Sequence, residues 1–163
     1  MIFYIIEDLK NYYIFVHTII VMTNDLTQTN RDLVIAILRG GIRLNEELNL
    51  FVKGFGLSLP QFNVLRILRG QKDKPANLST INEHMIHKMS NTTRLVDKLI
   101  DKGFVKRNVC KNNRRKIELI ITDNGKNLLA SIDQHLDQKE AQLLVQLNTS
   151  EKEKLHALIS KLI

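Results

Sequence analysis

The sequence predicts a mainly α chain with one small β-hairpin, and three observations carry that prediction. Apolar residues recur at spacings of three and four through most of the chain, the period of a helix buried along one stripe. Only two runs are β-rich, Phe104–Asn108 and Lys116–Ile121, and they flank a polar tip suited to a hairpin loop. The length of 163 residues suits one domain, and 44% hydrophobic with 25% charged residues is a globular balance, which excludes a disordered tail, a collagen-like polymer and a disulfide scaffold. The single cysteine, Cys110, forms no internal disulfide, so a reducing cytoplasm is the expected compartment.

The first 22 residues are rich in apolar and aromatic side chains, but Glu7, Asp8 and Lys10 interrupt them. The uncharged run that remains, Asn11 to Asn24, falls short of the roughly 18 residues a spanning helix needs, and no basic stretch precedes it as in a signal peptide. No membrane association is expected. Residues 1–21 are read as an N-terminal extension ahead of a single domain over 22–163.

From Val34 onward, Val34, Ile37, Gly41, Leu44, Leu48, Phe51 and Phe55 share one stripe of a long helix, with Gly40 and Gly41 marking a kink or a close helix crossing. Ser58, with Gln61 three residues on, opens a second helix by a capping box; it carries Phe62, Leu65, Ile67 and Leu68 and stops at Gly70. A polar loop follows to Asn77. Thr80 and Glu83 predict a second box for a short helix through Ile81, Met85 and Ile86. After a polar break at Lys88 to Asn91, Leu95, Val96, Leu99 and Ile100 form the buried stripe of the next helix, and Gly103 supplies its left-handed exit. Past the hairpin, Thr122 caps a long helix to about Leu147, with Leu129, Ile132, Leu136 and Leu143 on one side. Ser150 and Glu153 are expected to box the last helix, which carries Leu155, Leu158, Ile159 and Leu162.

Two short helices with a tight connection, then a basic hairpin, make a winged helix-turn-helix lobe over 57–125. The flanking segments 22–56 and 126–163 carry apolar stripes broader than a chain this small can cover, so they are expected to be dimerisation helices of a two-fold homodimer. Charge points the same way as topology. Of 24 Lys and Arg and 17 Asp and Glu, 15 and six lie between Leu59 and Lys126, so that segment has net +9 and the rest of the chain net −2. A folded basic segment suits a polyanion, because neutralised phosphates release counterions and drive association.

At this point the chain resembles the MarR family of bacterial transcription regulators. Thr93-Arg94-Leu95-Val96-Asp97-Lys98-Leu99-Ile100-Asp101-Lys102-Gly103-Phe104-Val105 resembles the family's recognition helix and its glycine exit. Asn113-Arg114-Arg115, followed at the family's spacing by Ile121-Thr122 and Gly125, resembles its wing and the start of the next helix. Leu57 to Leu68 resembles the segment that opens the family's DNA-binding lobe. The resemblance covers about Asp32 to Ile163. It implies a homodimer on palindromic double-stranded operator DNA, usually a repressor released by a small-molecule effector or an oxidant. One departure is Asn113, where the family pattern usually has an Asp before the two wing arginines; an amide cannot hold Arg115 as a carboxylate would.

On the second helix of the pair, Asn91, Arg94 and Lys98 share the face opposite Leu95 and Leu99, the face expected in a major groove. Arg94 suits guanine O6 and N7, Asn91 suits adenine N6 and N7, and Ser90 and Thr93 lie near the helix start within reach of bases or phosphates. The alternative is that Arg94 and Lys98 pair with Asp97 and Asp101 on a solvated helix. In the wing, Lys111, Asn113, Arg114 and Arg115 are the expected DNA contacts, with Arg114 or Arg115 entering a minor groove. Lys106, Arg107 and Lys116 are candidates for phosphate contacts. His84 and His87 lack the further Cys and His of a metal site and read as surface histidines. Gly54-Phe55-Gly56 has Leu59 where a dinucleotide fingerprint needs glycine. No catalytic residue, cofactor or metal site is expected, so the chain is not read as an enzyme. The rival reading keeps the winged helix as a protein-interaction or assembly module whose basic patch meets an acidic protein. Arg94, Asn91 and the arginine hairpin favour DNA, since a groove and its adjacent backbone account for both elements.

Overall fold

The computed structural model of the chain describes residues 2–86, 91–109 and 117–162, with side chains over 27–86, 91–108 and 117–162. It has the expected mainly helical architecture: α1 (Ile2–Lys53), α2 (Leu59–Gly70), α3 (Leu78–His84), α4 (Thr92–Asp101), β1 (Val105–Val109), β2 (Ile117–Ile121), α5 (Asp123–Leu143) and α6 (Thr149–Ile159). Two compact units are distinguished, Met1–Leu44 and Asn45–Ile163.

The first unit is helical from Ile2. Residues 2–21, expected as an extension, continue the same α1 helix without a break at Met22. Gly40 and Gly41 do not interrupt it either, and a Cβ built on either would meet nothing within 4 Å. A glycine weakens a helix by about 1 kcal/mol, too little to break one whose flanking residues all sustain the ladder. Leu33, Val34, Ile37, Leu38 and Ile42 in this unit are exposed.

The second unit holds the core, in which Val52, Val64, Leu65, Ile81, Val96, Leu99, Leu119, Leu129 and Ile132 are fully buried. Its local signals work as physics dictates. Ser58 caps α2 with the expected capping box: its hydroxyl accepts from Gln61 N, and Gln61 Oε1 accepts from Ser58 N at 3.0 Å. Pro60 fits that first turn because its missing N–H would have had no intrahelical partner. Asn49 Oδ1 accepts from Leu59 N, tying the end of α1 to the start of α2.

Of the expected boundaries, α1 ends at Lys53 short of Phe55 and α3 ends at His84 short of Ile86, and three others differ as well. The cap of α3 is Asn77 rather than Thr80, since Asn77 Oδ1 accepts from Thr80 N at 2.8 Å and leaves Glu83 to accept from the Ser79 hydroxyl. The box on α6 is Asn148 with Glu151 rather than Ser150 with Glu153. Asn, Ser and Thr are near-equal N-caps, so adjacent candidates cannot be ranked locally. The third is α5, which ends at Leu143 instead of near Leu147.

The β1–β2 hairpin is antiparallel, with Val105 opposite Ile121, Arg107 opposite Leu119 and Val109 opposite Ile117. Ala76, in what reads as a polar loop, is buried and exchanges both backbone hydrogen bonds with Leu119, so a single residue ahead of α3 serves as a third strand. Along α5, Leu129, Ile132 and Leu136 are buried. Three ion pairs flank them: Lys126 to Asp73 at 2.5 Å, Asp133 to Arg69, and Lys139 to Glu47 at 2.8 Å. These pairs are part-exposed and screened by solvent, so apolar burial dominates. Among the described residues no helix is long and apolar enough to cross a membrane.

Candidate nucleic-acid interface

The helix-turn-helix is α3 and α4. In α4, Thr92, Leu95, Val96 and Leu99 are buried, and this one-sided pattern leaves Thr93, Arg94 and Lys98 exposed on the other side. Asn91 stands at the N-cap, is exposed, and makes no side-chain capping hydrogen bond. The structure therefore brings Asn91, Thr93, Arg94 and Lys98 together as a solvent-facing polar surface. Neither Arg94 nor Lys98 has an ion pair among the described residues. The alternative pairing with Asp97 and Asp101 is not formed.

Two contacts that the sequence does not announce set this helix in place. The buried Thr92 hydroxyl donates to Asn82 Oδ1, linking α4 to α3. At the other end, Lys102 Nζ donates to the Gly56 carbonyl in the turn after α1. The exit from α4 is the expected one: Gly103 has φ +74°, its N–H donates to Ile100 O, and Phe104 N donates to Leu99 O at 2.9 Å, closing a left-handed helix end.

Strand β1 separates its two basic residues. Arg107 lies opposite the fully buried Leu119, on the same side as Val105 and Ile121, whereas Lys106 belongs to the opposite, alternate side and is exposed. Arg107 Nη2 donates to Asp97 Oδ1 of α4 at 2.5 Å, so this candidate phosphate contact is engaged by a carboxylate of its own chain. Lys106 has no ion pair among the described residues. Ser90 and the wing residues Lys111, Asn113, Arg114, Arg115 and Lys116 lie outside the described residues, as do Cys110 and His87. His84 makes a local bond, Nδ1 to Thr80 O at 2.9 Å.

Behind the hairpin, Thr122 caps α5 and clamps the loop that leaves α4. Its N–H donates to Phe104 O, its hydroxyl donates to Gly103 O at 2.7 Å, and the same hydroxyl accepts from Gly125 N. Lys126, one residue on, is held above its ordinary pKa chiefly by its hydrogen bond to Asp73, with desolvation opposing.

The MarR family profile matches residues 57–117, from the cap of α2 to the start of β2. A Bacillus subtilis protein described as an uncharacterized HTH-type transcriptional regulator, YfiV, is 32% identical over 100 residues, 61% of this chain. The chain spans 61% of the length of that relative. The Escherichia coli transcriptional repressor MprA is 27% identical over 121 residues, 74% of this chain and 69% of MprA. Among solved structures, a mutant of Escherichia coli MarR complexed with operator DNA superposes with a TM-score of 0.71 at 21% identity, covering 78% of this chain and 91% of that one. At that identity the likeness speaks for the fold. Residues 57–117 therefore match the MarR family profile, and the winged arrangement of α3, α4 and the β-hairpin is similar to that of the solved MarR structure.

Proposed function

We propose that the protein is a cytoplasmic transcription regulator that binds palindromic double-stranded DNA as a homodimer, acting as a repressor released by a small-molecule effector. The observation that carries the DNA reading is the outer side of α4, where Asn91, Thr93, Arg94 and Lys98 are exposed while Thr92, Leu95, Val96 and Leu99 anchor the opposite side. Free guanidinium and amide groups on a rigidly anchored helix are what base-edge readout in a major groove requires. Lys106 adds a phosphate contact from β1. The winged fold shared with a regulator solved on operator DNA supports the same reading.

The dimer rests on apolar surface left open in each unit: Val34, Leu38 and Ile42 of α1, and Leu155, Leu158, Ile159 and Leu162 in and after α6. An open apolar groove lined by Leu144, Leu147, Leu155 and Ile159 lies in the same C-terminal region. Repression follows MprA, which is named a repressor, and the effector reading follows a solved structural neighbour, Bordetella bronchiseptica BpsR, described in terms of regulation of its DNA binding by 6-hydroxynicotinic acid.

Selection from a pool of randomised duplexes, followed by light scattering, tests the proposal. The expected result is an enriched inverted repeat with half-sites about one helical turn apart and a species of about twice 18.8 kDa. A pool that stays random after selection, with equal affinity for any polyanion, would overturn specific DNA binding and favour the assembly-module reading. A mass of 18.8 kDa would overturn the dimer.

A further inference from the structure

We propose that Asp97 is a positioning residue for DNA binding: by holding the Arg107 guanidinium, it fixes the wing hairpin against recognition helix α4. The inference rests on the DNA-binding reading above and assigns a role to a residue that makes no DNA contact itself.

Asp97 sits between Arg94 and Lys98 in sequence, on the helix proposed to enter the major groove. A carboxylate there repels phosphates and by itself weakens binding to any nucleic acid. It is nonetheless half-exposed and paired with neither neighbour; its partner is Arg107, ten residues on and in another element. The placement of that pair gives it leverage. The junction of α4 with β1 is held at its base by the Phe104 N to Leu99 O bond and by Thr122. Among the described residues, the Asp97–Arg107 pair is the outermost hydrogen-bonded tie between the helix and the hairpin, with Asn108 and Val109 following it in β1. Arg107 is directed this way by register, since it shares its side of the ladder with Val105 and Leu119. Without the pair, β1 remains tethered at Phe104 and gains freedom further out. The wing must then be ordered when DNA binds, and ordering is subtracted from affinity where helix and wing engage together.

The sign of the effect separates positioning from plain electrostatics. Asp97→Asn removes a negative charge beside DNA, so electrostatics alone predicts tighter binding to every duplex. Positioning predicts weaker binding to a selected duplex while binding to a random duplex of equal length stays the same or tightens. Affinities would be measured for wild type, Asp97→Asn, Asp97→Glu and Arg107→Gln on both duplexes, with thermal unfolding of each variant alongside. The expected result is a fall of about two- to tenfold in the selected-to-random ratio for Asp97→Asn, retention of the ratio within about twofold for Asp97→Glu, which keeps the carboxylate, and a fall for Arg107→Gln matching that of Asp97→Asn. Arg107→Gln removes a cation and so weakens both duplexes, yet the ratio still reports the lost tie; it also carries the test should Asp97→Asn unfold. An unchanged ratio in both Asp97→Asn and Arg107→Gln, or tighter binding of Asp97→Asn to both duplexes alike, would overturn the proposal and leave DNA binding standing. A wild type that selects no duplex would overturn the reading on which it rests.

Discussion

Replacing Gly125 by alanine tests how the wing is joined to α5. Gly125 is the third residue of α5, and a Cβ there would stand 2.4 Å from Phe104 O and 2.8 Å from Ile121 Cγ1. Ordinary contact begins near 3.4 Å, so the backbone oxygen and the new methyl must separate by about 1 Å. Neither side yields easily. Phe104 O already accepts from Thr122 N at 3.0 Å, Gly103 O accepts from the Thr122 hydroxyl, and Ile121 is 3% exposed. Moving α5 outward stretches two hydrogen bonds worth about 1 kcal/mol each, and overpacking of this kind costs about 1–3 kcal/mol. The higher helix propensity of alanine returns at most about 1 kcal/mol. The net loss is about 1–2 kcal/mol, which for a chain of this size lowers Tm by about 2–8 °C. Thermal unfolding followed by circular dichroism, with all variants at one protein concentration, measures it. Gly41→Ala is the matched control, because the same methyl meets nothing within 4 Å and should raise stability by up to about 1 kcal/mol. An unchanged or higher Tm for Gly125→Ala refutes the argument. A loss at Gly41 instead would place a crossing helix of a second copy against it.

Arg94→Ala should reduce discrimination between selected and random duplexes by about 1–3 kcal/mol per half-site, whereas Lys106→Ala should weaken both alike and lower the salt slope by about one; equal losses on both duplexes for both variants would contradict the assignment. Lys126 offers a pH test. Its folded-state pKa is raised above 10.5, so its pair with Asp73 contributes fully below pH 10.5 and the contribution is lost as pH rises through the folded value. The Tm gap between wild type and Lys126→Gln should therefore close in alkali, and a gap that widens there would contradict the pairing.

The sequence by itself determined the features whose causes lie within a few residues. The Ser58–Gln61 box, the left-handed Gly103, the Thr122 cap and the apolar stripe of α4 depend on a side chain and a backbone group at most four positions away, or on the 3.6-residue period. That period also separates Arg94 and Lys98 from Leu95 and Leu99, so the exposed side of the helix was legible before any coordinates. The tertiary structure alone decided which groups meet across the chain. The Asp97–Arg107 pair, the Thr92–Asn82 bond, the bridge from Ala76 to Leu119 and the approach of Gly125 to Phe104 join positions 10, 10, 43 and 21 residues apart. It also decided among neighbouring caps, choosing Asn77 and Asn148 where Thr80 and Ser150 carry comparable signals. Local preferences among Asn, Ser and Thr differ by tenths of a kcal/mol, whereas docking a helix on the core is worth several, so packing sets the boundary. An arginine in a β-rich run carries no local mark of whether it faces phosphate or a carboxylate of its own chain; strand register and the position of α4 decide that.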